Sequence, residues 1–418
     1  MTSQSRPSGT IPFAGLALVA FALLCSASAQ PASAQPSPAA VCTMQELGTL
    51  PGGGFSQANG INDRGQIVGY SDSGPSAPYH AFLFQHDVMT DLGTFPGGNS
   101  SQASAINNHG QIVGVSSTAN GPGDFHAFRL DHGIMTNLGA LPDDNFSLAT
   151  AINGDGHVVG GSYGSSTGLM FHAFLYEHGS MSALGNLPGG TYSMATGING
   201  DDQVVGYSST ANGQIHAFLF DPHPRHDHGN NHDGNGQSYA QEQARNSSPQ
   251  DHDQNEAQAD HDRNGDHGGK GDKGSMTDLG TLPGGDFSQA NAINDRGQIV
   301  GRSTLAGGQT HAFLYEHGKM TDLGTLPGGT VSVALGINDR GQIVGDSDTS
   351  TGQRHAFLYE HGTMTDLSPL GGSNRAYGIN NREEIVGILY VSSAGHPQAF
   401  LCAPAHHKKD SQEHPDGR

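Results

Sequence analysis

The chain has 418 residues, with 39 acidic against 18 basic side chains, a net charge of −21 at neutral pH and no tryptophan. A balance this acidic excludes the basic footprint that nucleic-acid binding requires. Its 63 glycines carry no three-residue period, which excludes a collagen-like chain and points to many tight turns.

Residues 1–29 read as a secretory signal: Arg6 leads, an apolar core covers 14–24, and Ala27-Ser28-Ala29 is a small-residue cleavage site. That core is shorter than the roughly 20 apolar residues a bilayer span needs, so an uncleaved anchor is the weaker alternative. Ala32-Ser33-Ala34 offers a second cut, and Cys25 admits a weak lipoprotein reading. Residues 30–40 form a linker, and no later segment is apolar enough to enter a membrane. The expected location is secreted or periplasmic, with a monomeric chain.

From residue 41 to 404 the sequence repeats itself. Ile-Asn, a polar turn and a closing Val-Gly recur at Ile61, Ile106, Ile152, Ile198, Ile293, Ile337 and Ile379, in steps of 45, 46, 46, 95, 44 and 42 residues. The long step is one repeat plus an insertion of about 50 residues, and the period is that of blade-type repeats. Each unit holds four short strand-like runs, clearest in the fifth at 288–293, 298–303, 311–317 and 320–324. Asn294-Asp295-Arg296-Gly297 and His317-Gly318 supply hairpin turns, and Leu282-Pro283-Gly284-Gly285 links one unit to the next. Four antiparallel strands repeated radially predict an all-β, seven-bladed β-propeller.

In that fold the first strand of each blade lines the axis. Its small residues alternate at period two, as in Ser56, Ala58 and Gly60, so neighbours can approach closely. Phe82, Phe128, Phe174, Phe218, Phe313, Phe357 and Phe400 recur in the third strand as bulk between blades. The last unit has only three strands, while 44–48 matches a fourth strand and has no blade of its own. A last blade completed by the N-terminal strand closes the ring. Cys42 and Cys402 then lie on neighbouring strands, where export favours a disulfide over two unpaired core thiols.

Residues 221–275 interrupt blade 4 between its third and fourth strands with seven histidines among Asp, Asn, Gln and Gly. Such a composition predicts a disordered, solvated spacer. His223, His226, His228 and His232 are its candidate ligands for loosely held zinc, nickel or copper, the only cofactors expected. The tail 405–418 reads as disordered.

Residues repeated in every blade argue for structure. The turn position after Ile-Asn alternates among Asp63, Asn108 and Gly154, as a turn tolerates and a calcium ligand does not. His80, His126, His172, His216, His311 and His355 open the third strands, with Gln398 in the seventh, which favours a hydrogen-bonding role over catalysis.

The His-Ala-Phe triplet, Ile-Asn-x-x-Gly-x-Ile-Val-Gly and Asp-Leu-Gly-Thr-Leu-Pro-Gly-Gly, recurring in order across 44–401, resemble the HAF family of extracellular repeat proteins. The resemblance implies bacterial export and a β-rich repeat fold, with no catalytic residues to carry over. Gln398 and the missing fourth strand depart from it, both in the closing blade.

Strand direction places the loops between second and third strands and the Pro-Gly-Gly connections on one face, the variable one. Tyr79, Asp124, Phe125, Asp143, Asp144, Tyr163, Phe171, Arg354 and His396 are its candidate ligand-binding residues. The favoured function is a binding module for an extracellular glycan or protein. The alternative is a glycan-cleaving hydrolase or lyase on the same face, with Asp143, Asp144, Asp346 and Asp348 as available carboxylates.

Overall fold

The computed structural model describes residues 42–74, 77–120, 124–164, 170–222, 274–368, 372–390 and 396–404. The signal and linker, the histidines between 223 and 267, and the tail from 405 onward lie outside the described residues. Each repeat folds into an antiparallel sheet because its short runs are separated by turns that need positive φ. In blade 5 the strands Ser288–Ile293, Ile299–Thr304, Thr310–Glu316 and Lys319–Asp322 pair in chain order. The first turn closes at Gly297 (φ 73°), and the last is the pair His317 (φ 51°) and Gly318 (φ 75°), as a two-residue hairpin with right-handed twist demands.

Seven such four-stranded sheets form a β-propeller, with no helix among the described residues. Blade 7 is composite. Cys42–Glu46 pairs with Gln398–Pro404, which pairs with Ile385–Leu389 and then Asn374–Ile379. Cys42 and Cys402 are joined in a disulfide with their Cα atoms 5.5 Å apart. In blade 4, Asp221 faces Ser275 across the ladder, so the insertion leaves and re-enters at a hairpin tip.

The apolar core is divided into seven clusters, one at each blade interface. The His-Ala-Phe triplet explains how. Strand alternation sends Ala and Phe to opposite faces, so Phe128 of blade 2 lies in one cluster with Val68 and Ala81 of blade 1. All seven phenylalanines are fully buried. The histidine pairs with the acid ending the fourth strand: His80 Nδ1 is 2.8 Å from Asp91 and His311 Nδ1 2.9 Å from Asp322. In blade 2 the partner is an amide, with His126 Nδ1 3.1 Å from Asn137 Oδ1, and in blade 3 Ala183 occupies the acid's place beside His172.

Polar belts tie the blades together. The asparagine of every Ile-Asn donates its Nδ2 to the backbone carbonyl of its counterpart in the next blade, at 2.9–3.2 Å. Asn380 returns the chain of bonds to Asn62 at 2.9 Å, completing the circle. A second belt runs through first-strand serines, as where Ser101 Oγ accepts from Ala81 N of the preceding blade at 2.9 Å.

The small residues of the first strand do not keep strict alternation along the axis. Each first strand carries a β-bulge, between Ala58 and Gly60 in blade 1, so the residue inside the bulge faces the channel while Ser56 and Ala58 are buried between blades. The Gly of Val-Gly follows from this packing. A Cβ on Gly69 would fall 1.9 Å from the Gln57 carbonyl oxygen, so no other residue fits. No helix among the described residues is long and apolar enough to cross a membrane.

Candidate functional site at the loop face

The bulged residues Asn59, Ser104, Thr150, Thr196, Asn291, Leu335 and Tyr377, one per blade, ring an axial cavity of about 280 Å³. Several are tied to the neighbouring blade: Asn59 Nδ2 donates to Ala103 O at 2.7 Å and Thr150 Oγ1 to Ala195 O at 3.0 Å. Two residues nearer the loop face the repeats diverge. The cross-strand pairs there are Gln57 with Tyr70, Gln102 with Val115, Leu148 with Gly161, Met194 with Tyr207, Gln289 with Arg302, Val333 with Asp346, and Arg375 with Ile388. No two blades share a pair, although the motifs on either side repeat almost unchanged.

These differences separate the face into two arcs. Blades 2 and 3 are apolar. Phe146 lies 4.3 Å from Tyr163, 6.1 Å from Phe125 and 6.4 Å from Phe171 by ring centroids, and Tyr163 meets Phe171 edge-on at 4.8 Å. Gly161 makes room, because a Cβ there would collide with Phe171 and Met194. In blade 1, Tyr79, Tyr70 and Phe55 form a smaller cluster with centroids 5.3–5.6 Å apart.

Blades 5 to 7 carry the charge. Asp346, 1% exposed, is ion-paired to Arg354 Nη1 and, at 2.8 Å, to Arg375 Nε. Arg302 makes no ion pair among the described residues; its Nη2 and Nε donate to Gln289 Oε1 at 2.9 and 3.3 Å, and its guanidinium lies over the Phe287 ring at 5.1 Å. Burial pulls the Arg302 pKa below its usual value. Burial opposes the charge of Arg375 as well, but Asp346 and Tyr377 outweigh it and leave that pKa raised. Burial raises the phenols of Tyr70, Tyr207 and Tyr377, so the tyrosines around the arginines are neutral donors.

The candidates from sequence therefore fall into separate groups. Tyr79 joins the blade 1 cluster, and Phe125, Tyr163 and Phe171 surround Phe146. Arg354 belongs to the charged arc. Asp124 secures its own loop, accepting from Thr118 Oγ1 and, at 2.8 Å, from Asn120 Nδ2. Asp143 is an exposed turn residue at φ 72°, whereas the Asp144 side chain is 2% exposed with its Oδ2 3.6 Å from His172 Nδ1. His396 is exposed at the rim, beside Gly54. Of the other carboxylates, Asp346 is enclosed by arginines, and Asp348 Oδ1 accepts from the amides of Thr330 and Val331 at 2.7 Å. Tyr70, Tyr207, Arg302, Arg375 and Tyr377 were not singled out from sequence. For Tyr70, Tyr207 and Arg302 the signal was the variable position inside the Val-Gly-x-Ser segment, which holds Tyr70, Val115, Tyr207, Arg302 and Asp346 between constant neighbours; Arg375 and Tyr377 stand on the first strand of blade 7.

No family model matches the chain, and no curated protein matches it. Among solved structures, it is similar to a gluconolactonase from Xanthomonas campestris, at 10% identity over 86% of this chain and 89% of that one, TM-score 0.36. It is also similar to the Pyrococcus horikoshii acylaminoacyl peptidase, at 9% identity over 79% of this chain and 49% of that one, TM-score 0.40. A Trypanosoma rangeli sialidase matches at 7% identity over 84% of this chain and 55% of that one, TM-score 0.35. Likenesses at this level say nothing about activity.

Proposed function

We propose that this chain is an exported binding module of HAF type whose loop-face mouth takes an acidic carbohydrate. The observation that carries the reading is an excess of cation: Arg302, Arg354 and Arg375 surround the single carboxylate of Asp346 in a protein of net charge −21. A half-buried guanidinium with no carboxylate of its own favours a ligand that brings one. Neutral tyrosines and the Gln57, Gln102 and Gln289 amides suit sugar hydroxyls, and the aromatic rings suit the apolar faces of sugar rings.

Calorimetric titration with uronic-acid oligosaccharides and their neutral counterparts tests this. The acidic series binds, and Arg302→Gln weakens it by about 10- to 100-fold, as expected for a charge-assisted bond worth about 1.5–3 kcal/mol. Equal affinity for neutral sugars, unchanged by Arg302→Gln, would overturn the carbohydrate reading, and binding of acidic peptides alone would assign the face to a protein partner. Release of new reducing ends, abolished by Asp143→Asn, would carry the glycan-cleaving reading instead.

A further inference from the structure

Two departures from the repeat meet on the opposite, turn face. Four residues after the Ile-Asn asparagine, five blades carry Gln66, Gln111, Gln203, Gln298 and Gln342, and blade 7 carries Glu384; blade 3 alone has His157. In other blades that glutamine bridges to the group ending the third strand, as Gln298 Nε2 does to Glu316 and Gln342 Nε2 to Glu360, both at 2.8 Å. His157 instead turns to blade 4, its Nδ1 2.7 Å from Asp202 Oδ1. Asp202 is itself out of pattern: it stands at φ 60° where five blades have glycine. A non-glycine residue in that region is disfavoured, and here its carboxylate holds an imidazole.

With Asp202 accepting the Nδ1–H, neutral His157 carries its lone pair on Nε2. Glu177, the acid that a glutamine would otherwise bind, and His178 of the adjoining turn complete a group whose ligand atoms all lie within 4.8 Å of one another. The His157 and His178 rings are 5.6 Å apart. We infer that His157, Glu177 and His178 form a binding site for a divalent transition-metal ion, zinc foremost, with Asp202 orienting His157 from behind. Two imidazoles and one carboxylate are a zinc ligand set that leaves a position open to water. Metal–ligand bonds of about 2.0–2.1 Å bring tetrahedral ligand atoms to about 3.4 Å of one another. His178 is 84% exposed and Glu177 41%, so both can swing inward to close that gap.

The site is distinct from the histidines between 223 and 267, and the test separates them. Zinc is titrated calorimetrically into the full chain, and cobalt is followed by visible absorption. Wild type holds one more tightly bound ion per chain than His157→Gln, which restores the residue of the other blades and melts at the same temperature. Asp202→Gly keeps all three ligands and weakens that site by about 10- to 100-fold, as loss of an orienting carboxylate does elsewhere. Identical isotherms for wild type and His157→Gln would overturn the inference and leave all capture to other residues.

Discussion

Asn107 shows how much one side chain carries in this ring. Its Oδ1 accepts from the amides of His109 and Gln111 at 3.0 Å, fixing the turn, while its Nδ2 donates to Asn153 O at 2.9 Å, fixing the next blade. Truncation leaves buried backbone groups unpaired at about 1–3 kcal/mol each. Asn107→Ala is therefore expected to lower stability by about 2–4 kcal/mol, and an unchanged midpoint in chemical denaturation would refute the belt. The repeat points to Ile-Asn, and the variation that carries information in it falls on the residue after the asparagine. The asparagine's own role was hidden because its partner is a main-chain atom one repeat away, which leaves no trace in side-chain identity. His80 was more legible, because Gln398 in its place marked a hydrogen-bonding role.

At the scale of strands and loops, the connection between the second and third strands of blade 2 is secured by Asp124. Burial raises its pKa, but hydrogen bonds from Thr118 and Asn120 and the proximity of His126 overcome this and leave it lowered. A carboxyl depressed in the folded state stabilises above its unfolded pKa, and that contribution is lost as pH falls through the folded value. The hydrogen-exchange protection factor of the Thr118 amide, which donates to Asp124 O at 2.9 Å, is expected to stay high near neutrality and to fall as pH drops below about 4. Flat protection down to pH 2 would remove the carboxylate from that role. Strand positions were read almost to the residue because turn glycines and polar tetrapeptides bound them. The closing strand runs Cys42–Glu46 rather than 44–48; beyond it Leu47 keeps one bond to the partner strand, its amide donating to Ala399 O at 2.9 Å, while its side chain packs in the core between blades 7 and 1.

Across the whole molecule, constancy and variation occupy different places. The repeated motifs build interfaces and turns, so the architecture could be read from one chain serving as its own alignment. The aromatic candidates were found because they stand at or near the ends of loops that differ between blades. Arg302 and Arg375 were missed because they lie inside strands, and the meeting of Arg354 and Arg375 around Asp346 depends on the curvature of the ring. Closure itself is testable. Deleting residues 40–48 removes Leu47, the disulfide and the Cys42–Glu46 strand that covers Gln398–Pro404, exposing a sheet edge, and should sharply lower the melting temperature of the entire propeller. A melting temperature equal to wild type would show that blade 7 stands without its N-terminal strand.

The composite blade also sets a clock. Cys42 and Cys402 are 360 residues apart, and ribosomes add about 5–20 residues per second, so the earliest strand waits about 20–70 s for its partner to exist. Hairpins form in microseconds, so the first six blades, the last ending at Asp366, can form in turn before Cys402 is made. Throughout that interval Cys42–Glu46 is a free strand and the growing arc has no closing edge. A chain stalled short of residue 398 would hold most of its blades and none of its closure, leaving a strand able to pair with the open end of another molecule.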